Sequence, residues 1–203
     1  LQDYINLNGK VNFLKTHNGN YTVNNYPFTN AQNTIGGIYL VRDPRDVLLS
    51  FSHHLKLGHD DIFTKMTSMD HFELDENDPN LKKGYKRSLL GSWSNHYLSW
   101  KSYKGRELLF LKYEDLIKNP YESFYKVLAY LKNFIPFEIN EEKIKISIET
   151  TSFRNLKKNE ENDGFIEQGQ SKGFFRKGII GDWKSSLTPE LLNKIENKFK
   201  KEM

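Results

Sequence analysis

The chain has 203 residues, and its 30 Lys and Arg against 26 Asp and Glu give a formal net charge of +4, which favours an anionic ligand but falls short of a dedicated nucleic-acid binder. This length predicts a single domain, residues 1–203, with a full hydrophobic core. The absence of cysteine excludes disulfides, thiolate metal sites and a cysteine nucleophile, and no apolar run reaches the roughly 20 residues of a membrane span, so the chain is predicted to be soluble and cytoplasmic.

Three short apolar segments are predicted to be β-strands. They are residues 11–17 (VNFLKTH), 36–43 (GGIYLVRD) and 107–115 (ELLFLKYED). The apolar runs at 38–41 and 108–111 are continuous rather than alternating, which is typical of strands covered on both faces in a parallel sheet. Such a sheet requires helices on both sides.

Capping signals predict helices after the second and third strands and at the C-terminus. Asp43 can cap a helix that has Pro44 at its first position and ends near Gly58. The same pattern recurs at 119–122, and a last helix is predicted to begin at 188–189. Because strand, polar turn and helix recur, the predicted fold class is α/β, a three-layer parallel sheet flanked by helices.

The remaining segments give weaker signals. Segment 88–103 places four residues on one helical face, and core packing is favoured over a substrate wall. Segment 58–87 is predicted to run over the surface and to be able to act as a mobile lid. Segment 157–173 is predicted to be a flexible loop. The four residues on the helical face are Leu89, Trp93, Tyr97 and Trp100.

Two polar residues near the second strand could bind a phosphate. Ligands of open parallel sheets collect at the carboxyl ends of the strands. Arg42 stands at such an end, and Ser50 lies two turns into the following helix, so both could reach one phosphate. In the alternative, Arg42 pairs with Asp43 or Asp46 and Ser50 is an ordinary serine on a helix face. The sequence leaves both open.

A lysine and a histidine end the first predicted strand. Lys15 and His17 are two residues apart, so in an extended strand their side chains point to the same face. A histidine can accept a proton near neutral pH, and a neighbouring lysine can hold an anion. The alternative is a structural histidine, which is the more common case for an isolated one.

Further candidates lie in the C-terminal half. The Tyr113 hydroxyl could bond a phosphate or the ring could anchor its strand in the core. The TSF sequence at 151–153 offers a hydroxyl and an aromatic face that could stack on a base. In FFRKGIIGDWK (174–184), Gly178 and Gly181 let the backbone approach a ligand, and neighbouring cations add charge-assisted contacts.

The RKGIIGDWK sequence at 176–184 matches in full the R-K-G-x-x-G-D-W-K signature of soluble sulfotransferases that use 3′-phosphoadenosine 5′-phosphosulfate (PAPS). The chain resembles this family from LKTHNG (14–19) to the final helix, with five motifs in the family's order. The resemblance implies a fold similar to that of P-loop nucleotide hydrolases, with PAPS as the co-substrate and no metal. It also implies transfer of a sulfuryl group to an alcohol, phenol or amine.

The resemblance assigns roles to the candidate residues. His17 matches the family's catalytic base, and Lys15 matches its active-site lysine. Arg42 and Ser50 match the residues that hold the 3′-phosphate, and Phe153 matches the ring that stacks on adenine. The other expected nucleotide contacts are Tyr113, Thr151, Ser152, Phe174, Phe175, Arg176, Lys177 and Gly178.

One family motif does not occur in the sequence. Soluble sulfotransferases begin with a strand and a K-S-G-T-T-W loop that cradles the 5′-phosphosulfate, and nothing similar precedes Lys15. We therefore expect an N-terminal truncation or gene fragment that lacks the first strand. The alternative is that residues 1–10 or a partner chain fill the gap.

Two other functions remain as alternatives. A binding module could hold the nucleotide without catalysing transfer. A small-molecule kinase of related fold is less well supported, since the G-x-x-x-x-G-K-[ST] motif does not occur in the sequence.

Overall fold

The computed structural model describes residues 9–70, 72–74, 87–165 and 173–203. The chain forms two compact units. Unit 1 comprises Leu1–Val41, Met66–Leu111 and Val127–Phe137, and unit 2 comprises Arg42–Lys65, Lys112–Lys126 and Glu138–Met203.

Helices and short strands alternate along the described residues. The strands are β1 (Thr22–Val23), β2 (Tyr26–Pro27), β3 (Ile38–Val41), β4 (Phe72–Leu74), β5 (Arg87–Leu89) and β6 (Leu109–Lys112). The helices are α1 (Pro44–Leu55), α2 (His59–Thr67), α3 (Trp93–Lys101), α4 (Tyr113–Lys118), α5 (Pro120–Leu131), α6 (Glu141–Thr150), α7 (Phe153–Asp163), α8 (Trp183–Ser186) and α9 (Pro189–Phe199).

The strands of unit 1 form three separate pairs within the described residues. Strands β3 and β6 form the parallel pair, and the N–H of Leu109 donates to the carbonyl of Gly37 at 3.0 Å. Strands β4 and β5 pair antiparallel. Strands β1 and β2 form a hairpin whose two turn residues, Asn24 and Asn25, have φ values of +50° and +66°. Asparagine tolerates this left-handed conformation, which a two-residue hairpin turn requires.

The strand predicted at 11–17 is not formed. All seven side chains are exposed, and no regular structure is present there. A strand needs a neighbour to accept and donate its backbone hydrogen bonds, and no described strand lies beside this segment. Apolar residues such as Phe13 and Leu14 therefore remain about two-thirds exposed.

Strand β3 forms where predicted, but its expected burial on both faces is wrong. Ile38 and Leu40 are 43% and 53% exposed, whereas Tyr39 on the other face packs against Tyr97 and Phe110. Alternate residues of a strand face opposite sides of the sheet. Only one face of β3 is therefore well covered by the described residues of unit 1.

The predicted helix starts are confirmed. Asp43 caps α1 by accepting the backbone N–H of Arg45, with Pro44 at the first helical position. The helix ends at Leu55, close to the predicted Gly58. Helix α5 begins at Pro120, and Thr188 caps α9.

The core of unit 2 is formed by residues of α1, α2, α6 and α9. It contains fully or nearly fully buried apolar side chains, and burying each of them stabilises the fold by roughly 1.5–3 kcal/mol. These residues are Leu48, Leu49, Ile62, Ile144, Leu191, Ile195 and Phe199.

Two predicted loops contain regular structure. The surface excursion at 58–87 contains α2, β4 and the first residue of β5, with Ile62 fully buried, while residues 71 and 75–86 lie outside the described residues. The flexible loop predicted at 157–173 is helical up to Asp163 as part of α7, and residues 166–172 lie outside the described residues. Both helices are rich in polar residues, and for this reason they were not predicted from the sequence.

The aromatic helix predicted within 88–103 is α3. Tyr97 contacts Phe110, and Trp100 packs edge-to-face against Phe28. These rings therefore pack against other aromatic side chains of unit 1, but they are only half-buried, and none of the residues of α3 is fully buried as a core position would be. Leu89 belongs to β5 and not to the helix. None of the helices in the described ranges combines the length and apolar character that crossing a bilayer requires.

Candidate functional site

Arg42 follows β3 and lies in unit 2. Its guanidinium stacks 4.4 Å from the ring centre of Tyr113, and its Nη2 donates to the carbonyl of Ile179 at 3.3 Å. Within the described part of the chain, its Nε is buried and has no hydrogen-bond partner. A buried guanidinium N–H without an acceptor is costly, so this atom is suited to an anionic ligand.

The acids considered as alternative partners of Arg42 bind other groups. Asp43 forms an ion pair with Arg45 at 2.6 Å. Asp46, which is 2% exposed, accepts the N–H of Gly181 at 2.7 Å and that of Trp183 at 3.2 Å. Both alternative ion pairs of Arg42 are therefore wrong.

Residues 174–182 form a segment that we call the basic loop. Arg176 and Lys177 each contact the carboxylate of Asp182 at 2.7 Å. The Asp182 side chain is buried, and the hydrogen bond from Lys177, reinforced by Arg176, holds its pKa below the usual range although burial acts in the opposite direction. Asp182 therefore stays ionised at neutral pH and orients both cations.

Gly178 brings the basic loop against an aromatic ring. Its φ is +64°, and a Cβ built on it would lie 2.2 Å from the ring of Phe153. Phe175 also packs edge-to-face on Phe153, with ring centres 6.2 Å apart. The predicted adenine ring partner and the predicted phosphate-binding loop are thus in direct contact.

The hydroxyls of the TSF sequence take part in local hydrogen bonds. The Thr151 hydroxyl donates to the carbonyl of Ser147 at 2.6 Å at the end of α6. The Ser152 hydroxyl caps α7 by accepting the N–H of Asn155. Both oxygens also have a structural role, and Ser152 fixes the first turn that presents Phe153.

Ser50 is exposed on α1, and the structure gives it no direct contact with Arg42. Residues three and four positions apart on a helix share a face, and His53 and His54 follow Ser50 at this spacing. His53 Nε2 lies 3.2 Å from the carbonyl of Gly173, and the ring of His54 packs edge-to-face on Phe174. The face of α1 that carries Ser50 therefore meets the beginning of the basic loop.

Lys15 and His17 lie in unit 1 on the irregular segment 11–17, and both side chains are exposed. The backbone carbonyl of His17 accepts a hydrogen bond from His96 Nε2 at 3.1 Å. His96 Nδ1 lies 2.8 Å from the Tyr39 hydroxyl. Because Nε2 donates, neutral His96 accepts from Tyr39 at Nδ1. Burial lowers the pKa of His96 and favours this neutral form.

Hydrogen bonds of the backbone and of the Asn18 side chain hold the two residues that follow His17. Asn18 accepts the N–H of Leu89 through its side-chain oxygen at 2.8 Å, and the N–H of Gly19 donates to the carbonyl of Leu89 at 2.9 Å. The indole N–H of Trp100 donates to the carbonyl of Asn18 at 3.0 Å. His17 thus stands beside a well-anchored dipeptide although no strand carries it.

Sequence reasoning missed the acids and the histidine that support these candidates. Asp46 and Asp182 were visible as neighbours of Arg42 and of the basic loop, but the backbone N–H groups that Asp46 binds are 135 and 137 residues away. His96 lies within the predicted aromatic helix without a motif of its own. Across the described residues, His, Asp and Glu side chains do not gather in groups of three or more that could hold a metal ion.

These features define a class before any comparison: an α/β protein with a cationic, glycine-containing loop that lies against an aromatic ring. The comparisons give the family. The chain belongs to the sulfotransferase family, because the family model described as "Sulfotransferase domain" matches residues 5–203.

Curated relatives carry the same family name. Sulfotransferase 1B1 of Canis lupus familiaris is 30% identical over 184 residues, which cover 85% of this chain and 56% of the relative. The amine sulfotransferase of Oryctolagus cuniculus is 29% identical over 175 residues, covering 82% and 54%. Cytosolic sulfotransferase 5 of Arabidopsis thaliana is 32% identical over 169 residues, covering 78% and 49%. The chain spans about half the length of these relatives.

Solved structures confirm the predicted α/β sulfotransferase fold. Mouse sulfotransferase SULT7A1 complexed with PAP has a TM-score of 0.62 and 25% identity, covering 85% of this chain and 59% of that chain. Retinol dehydratase in complex with androsterone and the inactive cofactor PAP has a TM-score of 0.57 and 23% identity, covering 81% and 46%.

Proposed function

We propose that the protein transfers the sulfuryl group of PAPS to a hydroxyl or amine of a small-molecule acceptor. The observation that carries this proposal is a set of contacts at the basic loop. Arg42 stacks on Tyr113 and donates to the carbonyl of Ile179 in the loop. The ring of Phe153 packs against Gly178 of the loop. Cations and an aromatic ring are the groups that a phosphorylated adenosine requires. The complex of mouse SULT7A1 with PAP, 3′-phosphoadenosine 5′-phosphate, supports the same ligand.

The described residues fit this nucleotide. The buried Nε of Arg42 lacks an acceptor in the described part of the chain, and a phosphate oxygen would supply one. Arg176 and Lys177 would add charge, and the bare backbone at Gly178 allows the loop to lie close to the ligand. Ser50 and Tyr113 would contribute hydroxyls, with Thr151, Ser152, Phe174 and Phe175 around the adenosine.

His17 would take the proton of the acceptor hydroxyl or amine as that atom attacks sulfur. PAPS supplies the sulfuryl group, and its sulfur–oxygen bond to the 5′-phosphate breaks to release PAP. Lys15 would stabilise negative charge on the transferring oxygens. Such a transfer depends chiefly on alignment and on cations around the group in flight.

The test of activity is transfer by the full-length protein. PAPS would be incubated with a panel of phenols, alcohols and amines, and products carrying one added sulfuryl group would be identified by mass spectrometry. His17→Ala should lower turnover by roughly 10² to 10⁴, whereas His59→Ala, a histidine outside the candidate site, should not. Unchanged turnover in His17→Ala would reject the role of His17 as base.

The second candidate is a nucleotide-binding module without transferase activity. It is favoured by one observation: every candidate nucleotide contact lies in unit 2, whereas the candidate catalytic residues Lys15 and His17 lie in unit 1. Calorimetric binding of PAP but not ATP, together with no sulfated product, would favour the module. Preference for ATP would favour a kinase.

The name of the Arabidopsis relative supports a cytosolic location, and the single-domain organisation stays a prediction.

A further inference from the structure

All three buried carboxylates among the described residues bind groups of the basic loop. These are Asp46, Glu160 and Asp182. Asp46 accepts backbone N–H groups at the end of the loop, and Asp182 binds the side chains of Arg176 and Lys177. Glu160 is 9% exposed and comes from α7, outside both the loop and the family signature that contains Asp182.

Glu160 binds the backbone just before the two cations. Its carboxylate accepts the N–H of Phe174 through one oxygen and the N–H of Phe175 through the other, the latter at 3.0 Å. No described Lys or Arg forms an ion pair with it. Hydrogen bonds from N–H groups to a carboxylate are stronger than neutral ones. Two of them on successive residues fix the direction in which the chain enters Arg176.

Helix α7 meets the basic loop at a second point on the same face. Phe153 and Glu160 are seven residues apart, a spacing that returns to the same side of a helix after two turns. Phe153 packs on Gly178 and Phe175, while Glu160 binds Phe174 and Phe175. One rigid helix thus contacts the loop on both sides of Arg176.

Glu160 and Arg176 also border the same space. A cavity of about 410 Å³ is lined by both residues, together with His53 and Phe175. The guanidinium of Arg176 reaches Asp182 from this position. A change in the backbone at Phe174 or Phe175 would therefore displace Arg176 and not only the phenylalanine rings.

We propose that Glu160 is a positioning residue that holds the basic loop in the conformation that binds the 3′-phosphate. This inference rests on the proposed function. Glu160 does not touch the nucleotide. It orders the backbone of Phe174 and Phe175 before the ligand arrives, so that binding does not have to order the loop, and such preorganisation raises affinity.

The test compares two nucleotides on the full-length protein. PAP and 5′-AMP differ by the 3′-phosphate, so the ratio of their dissociation constants reports the contribution of that phosphate. Glu160→Ala should raise the dissociation constant of PAP about 10- to 100-fold, the equivalent of one charged hydrogen bond, and leave that of 5′-AMP little changed. Glu160→Gln, which keeps one acceptor oxygen, should fall between wild type and Glu160→Ala.

Asp163→Asn is the matched control, since it removes an exposed carboxylate from the same helix and should leave the ratio unchanged. Melting temperatures show whether each variant folds. If Glu160→Ala weakens both nucleotides equally, or neither, the positioning role is overturned. If wild type does not prefer PAP over 5′-AMP, the proposed function itself fails, which is a different result.

Discussion

Two separate constraints exclude a side chain at position 178, where the sequence has Gly178. Its φ of +64° lies in the region that L-residues rarely adopt, and the ring of Phe153 occupies the place of a Cβ. Gly181 has only the first constraint, with φ +78° and only ordinary contacts, at 3.7 Å or more, around a built Cβ. The two glycines therefore separate backbone strain from steric contact.

Gly178→Ala should destabilise the protein by about 2–5 kcal/mol, because about 1–2 kcal/mol of backbone strain adds to about 1–3 kcal/mol of overpacking. Gly181→Ala should cost only the backbone strain. Urea unfolding of both variants gives the comparison. Equal losses of unfolding free energy in the two variants would contradict the contact between Gly178 and Phe153.

His96 should make stability depend on pH. Burial lowers the pKa of His96 in the folded chain, so the unfolded chain binds more protons between the folded pKa and the unfolded value of about 6.5. This part of the stability is complete above about pH 6.5 and is lost as the pH falls from there through the folded pKa. Urea unfolding near neutral pH and in mild acid should show the loss.

His96→Gln removes the titrating group, so the variant should lose less stability in acid than wild type does. Two groups bond to the His96 ring, the Tyr39 hydroxyl and the His17 carbonyl, and charge repulsion from the His17 side chain also lowers the pKa of His96. The two bonded groups do not ionise in this pH range, because a carbonyl carries no titratable proton and burial raises the pKa of Tyr39. The same acid sensitivity in His96→Gln would assign the effect to another group.

At the scale of elements, local signals predicted helix starts well and strand pairing poorly. Asp43 with Pro44, and Thr188 ahead of α9, mark starts because a cap acts within three residues. The segment 11–17 has the composition of a strand, but a strand forms only beside a partner, which local sequence does not reveal. Helix α7 was missed because its exposed face is highly charged.

The candidate site shows the same difference between local signals, which the sequence reveals, and long-range contacts, which it does not. The basic loop, Arg42 and Phe153 were predicted from motifs, with roles that stay predictions. The supporting contacts of Asp46 and Glu160 were not predicted, because each of them joins residues that are distant in sequence. No periodicity or spacing encodes a carboxylate that binds backbone N–H groups of another segment.

Asp46 links helix α1 to the basic loop and to α8. Asp46→Ala should lower the free energy of unfolding by about 2–6 kcal/mol, because it leaves the N–H groups of Gly181 and Trp183 unsatisfied at about 1–3 kcal/mol each. Asp115→Ala, which removes an exposed acid from the first turn of α4, is the control. Thermal unfolding would measure both, and equal small losses would reject the link.

At the scale of the whole molecule, the proposed ligand contacts and the proposed base fall into different units. PAP should therefore slow amide hydrogen exchange in unit 2, above all in the basic loop and at the starts of α1 and α7. The β1–β2 hairpin of unit 1 should exchange as before. Exchange measured with PAP and with 5′-AMP would test this, and protection of the hairpin alone would contradict it.

The anchoring of Asn18 and Gly19 to Leu89 also has a consequence for the chemical ageing of the protein. An Asn-Gly sequence in a flexible peptide deamidates readily, because the glycine nitrogen attacks the side-chain carbonyl carbon of asparagine and ammonia leaves. Here both the glycine N–H and the asparagine side-chain oxygen are engaged by the backbone of Leu89. Their engagement slows cyclisation and so delays the appearance of a new negative charge next to His17.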